Sequence, residues 1–243
     1  VGCSDKVHGE FLRVLEGVFG TGEVEITSTN FTCCGVRHTR KPDGTYVLDQ
    51  IEFIAALRCI RGAELTGLKA DAPAPPESAK QYISLLMALA FALLTRIDLH
   101  VYVIALQRHA QSPQVQHIRK LNALVLWAQR HPLSIVYRPM VCARWLEVHS
   151  DAAFRKEEKE GVDQGRAMRG ATFLRIGGDT PKAATGTRPC HLVDWQCGSL
   201  KTVTRSTFTS ELISSIAATD HGLSLKLTPV SYTHLTLPTT RHV

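Results

Sequence analysis

Trp145 to Phe154 read WLEVHSDAAF, and the side chains alternate in kind along the run. In an extended chain Leu146 and Val148 fall on one side, and Trp145, Glu147, His149 and Asp151 on the other. Alternation of this length predicts a half-buried strand. Downstream, GATFLRI (170–176) and HLVDW (191–195) read as the next strands, joined by a loop rich in Gly and Thr. VTRSTFTSEL (203–212) then opens a helix whose pattern runs to about Leu225. Ser206 or Thr207 is the expected N-cap, because a side-chain hydroxyl there can accept a free backbone N–H of the first turn. Phe208, Leu212, Ile216 and Leu223 line one face, with Glu211 on its flank.

This order ends the first strand on an acid, Asp151, and sets a second acid, Glu211, in the first turns of the helix. Mg2+ takes oxygen ligands and keeps several waters, so carboxylates on rigid elements suit it. Two such ions can activate a water and stabilise the leaving oxygen of a phosphodiester. Asp151 and Glu211 are therefore candidate catalytic and metal ligands. Spacing also fits a plainer reading, a surface Asp and a Glu favoured by the positive end of the helix dipole.

Upstream the pattern differs. Residues 9–20 read as a short helix with Phe11, Leu15 and Val18 on one side. FTCCGVRH (31–38) and GTYVL (44–48) read as two strands around the turn Lys41-Pro42-Asp43-Gly44. Asp49 is expected to start a helix, with Glu52 completing a capping box. Ile51, Ile54, Leu57 and Ile60 recur at helical spacing. GLKADAPAPPESAK (67–80) has the composition of a linker. Two helices are expected beyond it, the second with Ile118, Leu121, Val125 and Ala128 on one face and its end at His131-Pro132. The longest apolar run, LLMALAFALL (85–94), is shorter than the roughly 20 residues a bilayer requires. A core helix is expected there and no membrane partner.

The chain has 243 residues, 44% of them apolar, enough for a buried core. Its net charge of +6 is compatible with nucleic acid as a partner. Seven cysteines are scattered without a Cys-x-x-Cys pair, which suggests free thiols and neither a zinc ribbon nor a redox dithiol. Cys190, His191 and Cys197 lack a fourth ligand at convincing spacing. The first residue is Val1, which reads as the interior of a longer polypeptide. VSYTHLTLPT (230–239) resembles the translation of an adapter used in preparing sequencing libraries, so 230–243 is set apart as a foreign tail.

Several segments, in order, resemble the C-terminal part of the Pol polyprotein of copia-type LTR retrotransposons. FTCCGVRH and YVLDQIEFIAAL resemble the end of the polymerase palm and the start of the thumb. YISLLMALAFALLTRIDLHVYVIALQR (82–108) and QSPQVQHIRKLNALVLWAQ (111–129) resemble the two helices that follow. LEVHSDAAF, GATFLRI, HLVDWQCGSLK and VTRSTFTSEL resemble the first half of the ribonuclease H domain. Ile97 and Met87 depart from the family's usual residues, and Ala153 stands where a second acid is common.

The resemblance implies an α+β fold, with helical thumb and connection elements followed by a truncated ribonuclease H-like sheet of three strands and one helix. Composition and resemblance together divide the chain into five regions: palm and thumb start (1–66), linker (67–80), connection helices (81–134), ribonuclease H-like part (135–229) and foreign tail (230–243). It makes Asp151 and Glu211 the ligands of Mg2+ in a parent that copies RNA into DNA and cuts the RNA of RNA–DNA hybrids. Arg96, Arg119 and Lys120 would then lie where the hybrid passes, and Arg205 beside the ribonuclease-like part, as nucleic-acid-binding residues. The implied location is intracellular and the implied partners are hybrid and the rest of the polyprotein. With only two of the metal acids, the piece itself is expected to be close to inactive. The alternative is a basic, non-catalytic nucleic-acid-binding remnant; a generic α+β domain is the third reading.

Overall fold

The computed structural model describes residues 5–20, 29–140, 145–153, 167–177, 189–204 and 206–236. Within them the fold is α+β, with helices and two antiparallel sheets. Helix α1 spans Asp5–Phe19. The first sheet has the order β1 (Asn30–Cys33), β2 (Val36–Arg40), β3 (Tyr46–Asp49), β4 (Ile135–Tyr137).

FTCCGVRH is a hairpin, where the sequence suggested one strand. Cys34 and Gly35 form its two-residue loop with φ of 48° and 71°. Positive φ at both positions gives the twist that a tight hairpin needs, and Gly35 supplies one of them without strain. Strand β4 pairs with β3, Tyr46 opposite Tyr137, so 135–137 belongs to the first sheet and the boundary expected at 135 falls inside it.

Helix α2 is short, Ile51–Ala56. The expected capping box does not form: Asp49 Oδ1 accepts Ile51 N at 3.2 Å, but Glu52 turns to Arg37, whose guanidinium lies 2.8 Å from it and 3.1 Å from Asp49. The helical spacing that suggested continuation to Ile60 is cut by two side chains of the later helix α5 (Val115–Arg130). Gln129 donates to the carbonyls of Ile54 and Leu57, ending α2. Asn122 accepts from Ile60 N and donates to Ile60 O, holding that segment extended.

The linker-like stretch is pinned to α5. Ala74 N donates to Pro113 O, Val115 N to Ala72 O and Gln116 N to Ala70 O. Helix α3 (Pro76–Phe91) starts with Pro at its first position, where the missing N–H costs nothing. A 3-10 turn extends the helical stretch to Leu94, which makes it long and apolar enough to cross a membrane by length and composition. Tyr82, Leu86 and Leu89 nonetheless bury one face in the helical core. Helix α4 (His100–Gln107) and α5 complete that core. Ile118, Leu121, Val125 and Ala128 are buried as their spacing predicts. Tyr82 donates to Leu106 O, and burial pushes its hydroxyl pKa up to about 12.

The second sheet has the order β5 (Trp145–Ala153), β6 (Met168–Ile176), β7 (Cys190–Ser199). Helix α6 follows, Thr207–Thr236. It overruns the expected end near Leu225 and enters the segment set apart as a tail. Ser206 Oγ accepts Thr209 N, the expected cap.

Candidate functional site

The β5–β7 sheet lies between two helices. Pleating sends alternate residues to opposite faces, and the register is regular from Ala153 to Val148. On one face Val148, Phe173 and Asp194 meet α6. His221 of α6 bonds Asp194 and stacks edge-on against Phe173, while Ser150 lies 3.3 Å from Ser215. On the other face the row Asp151, Gly170, Cys197 and the row Ala153, Met168, Ser199 look toward α4. Arg108, just past α4, donates to Ser199 Oγ at 2.6 Å.

The two candidate metal ligands therefore do not converge. Asp151 lines a cavity of about 280 Å3 together with His100, Val101, His149, Trp195 and Cys197, on the α4 side. Glu211 rides on α6, which covers the opposite face. What joins α6 to Asp151 is the backbone: Ser214 Oγ donates to the Asp151 carbonyl at 3.1 Å. Among the described residues no three His, Cys, Asp or Glu side chains come together as a metal-binding group. The expected shared metal site is corrected by strand parity. An acid at the next position of β5 would face α6; Asp151 faces away.

The cavity beside Asp151 contains groups that the sequence reading passed over. His100 sits at the start of α4, and its Nδ1 is buried with no hydrogen-bond partner among the described residues. Burial lowers its pKa below the usual histidine value. Burial likewise raises the Cys197 thiol. His149 pairs instead with Glu147 on its own strand, at 2.8 Å.

The basic candidates divide. Arg96 is completely buried, bonded in a fork to Asp98 at 2.9 and 2.8 Å and donating to Ala128 O. Its guanidinium also lies over the Trp127 ring, 5.6 Å from the centroid. A charge so engaged is not offered to a phosphate, and Arg96 is a core residue. Arg119 and Lys120 are exposed on α5. Arg119 also donates to Leu68 O, tying the former linker down. Arg205 lies outside the described residues.

Between α4 and α5 runs a groove of about 700 Å3, walled by Tyr102, Leu106, Leu124 and Trp127, with Asp98 and Lys120 at its margins. A smaller hollow of about 150 Å3 shares Ala105, Leu106 and Lys120 with it and adds Arg108, His109 and His117. The two imidazoles stack with centroids 3.9 Å apart. Burial first, and then the neighbouring His109 and Lys120, hold the His117 pKa down at about 4, so this ring is neutral near pH 7.

Compared with known proteins, the chain matches no protein family, no curated protein and no solved structure.

Proposed function

We propose that the chain is a stretch of the Pol polyprotein of a copia-type LTR retrotransposon, and that this stretch holds nucleic acid without cutting it. The parent, in this reading, copies RNA into DNA and hydrolyses the RNA of hybrids with Mg2+, inside the cell. The supporting observation is topological: a helical pack is followed by a three-stranded antiparallel meander and a helix laid across it. That is the order implied by the segments that resemble a ribonuclease H-like domain. The non-catalytic half of the proposal rests on the separation of Asp151 from Glu211 across the sheet. The binding half rests on the net charge of +6 and on the exposed cations of α5.

Fluorescence anisotropy with a labelled RNA–DNA hybrid tests it. Binding is expected at 50 mM salt and should weaken steeply by 200 mM, because cations on phosphates release condensed counterions. Mg2+ should not strengthen binding over EDTA, and the hybrid should stay intact. Absence of binding at low salt would overturn the proposal. Mg2+-dependent cleavage lost in Asp151→Asn would overturn its non-catalytic half.

A further inference from the structure

Cys33 and Cys34 are neighbours in the chain and lie exposed at the tip of the first hairpin. In a continuous strand adjacent side chains point to opposite faces, which would hold two such sulfurs apart. The turn changes this. Cys34 takes the left-handed conformation, with φ of 48°, and its side chain comes back beside that of Cys33. Cys33 Sγ donates to Cys34 Sγ at 3.9 Å. The tip is also held in place. Cys33 pairs across the strands with Val36, which is buried. Gly35 sits so close to the Phe91 ring that an added Cβ would come within 2.7 Å of it. Two thiols are thus presented to solvent side by side on a packed turn.

Geometry narrows what can use them. A disulfide is disfavoured: Cα atoms joined by a trans peptide are about 3.8 Å apart, short of the roughly 4.4–6.8 Å that an unstrained disulfide spans. Sulfurs bonded at about 2.3 Å to one tetrahedral centre stand about 3.8 Å apart, so the spacing already present suits a single atom between them. Zn2+ would ask for four ligands. Among the described residues no third His, Cys, Asp or Glu joins the pair. Trivalent arsenic that carries one organic group asks for two. The hydrogen bond to Cys34, and then its charge, hold the Cys33 pKa above the usual thiol value, which argues against a lone reactive thiolate near pH 7. We propose that Cys33 and Cys34 form a dithiol site for a trivalent organoarsenical. The step is a condensation: an arsenoxide and two S–H groups give two As–S bonds and one water. The As–O bond breaks, both thiol protons leave on that oxygen, and arsenic stays trivalent, so no oxidant or reductant takes part. The site goes beyond the nucleic-acid reading and does not rest on it.

Titration of the full, reduced chain with phenylarsine oxide tests the site, read by intact-mass spectrometry and by the count of remaining thiols. One phenylarsenic unit per chain should be taken up, with the loss of two free thiols. It should survive excess glutathione, a monothiol, and be removed by dimercaptopropanol, a dithiol, because a chelate yields to another chelate. Cys33→Ser and Cys34→Ser change exposed side chains. Each should keep the melting temperature and lose the glutathione-resistant uptake, whereas Cys190→Ser and Cys197→Ser should retain it. Uptake that glutathione strips from the unsubstituted chain overturns the site. So does resistant uptake that persists in Cys33→Ser or Cys34→Ser, since another pair of thiols would then hold the arsenic.

Discussion

Arg96 carries a positive charge into the core, and Asp98, two residues on, answers it with two parallel hydrogen bonds. The planar guanidinium makes this possible: it presents a fork to the carboxylate, a third donor to Ala128 O and a flat face to Trp127. Removing one member of a buried pair strands the other, which costs about 3–5 kcal/mol. Arg96→Ala should therefore lower the unfolding free energy measured by urea titration by an amount in that range, and Arg96→Lys should also lose stability, since an ammonium cannot reproduce the fork. An unfolding free energy within about 0.5 kcal/mol of the unsubstituted chain, the usual effect of surface changes, would mean that Arg96 is a surface cation after all. In the sequence Arg96 and Arg119 are alike, two arginines near helix ends. What separates them is tertiary: α5 lays Ala128 O and the Trp127 ring against the one, and only a loop carbonyl lies beside the other.

Helix α6 buries the stripe that hydrophobicity would not choose. Ser210, Ser214 and Ala218 are within 3% of full burial, while Phe208, Leu212, Ile216 and Leu223 are exposed. Small residues at every fourth position let the helix lie close on the sheet; at Gly222 a Cβ would come within 2.8 Å of Val148 Cγ2. Close approach then allows Ser214 to reach the Asp151 carbonyl. Ser214→Leu should thus cost about 1–3 kcal/mol through overpacking, whereas Leu212→Ser should change the thermal midpoint little and improve solubility. The reverse ranking would restore the apolar stripe as the packed face. Other elements were legible where burial and pattern agree. The four apolar residues of α5 lie where the 3.6-residue period puts them, and β5, β6 and β7 arise from the runs that read as strands. Legibility failed where the deciding atoms are remote in the chain: Gln129 and Asn122 end α2, and Arg37 holds Glu52. It failed locally at FTCCGVRH, where paired positive φ values make a hairpin.

At the scale of the whole molecule, the helical core and the second sheet meet through α4, and α6 closes the sheet from the other side. The sequence shows that two acids end a strand and begin a helix. It does not show on which face of the strand the helix will settle, because alternation is symmetric until something covers one side. Here the small-residue stripe of α6 selects the face of Val148 and Ala152, and Asp151 is left toward α4. Exposed cations remain on α5, while the Asp151 side chain faces away from the helix that carries Glu211. Titration with Mn2+, followed by the electron paramagnetic resonance of the free ion, addresses this most directly. The separated arrangement predicts only weak, unsaturated binding below 1 mM, on the order expected when single carboxylates hold a hard cation, and no change in Asp151→Asn or Glu211→Gln. A saturable site abolished by either substitution alone would contradict it, since one ion would then be held by both acids.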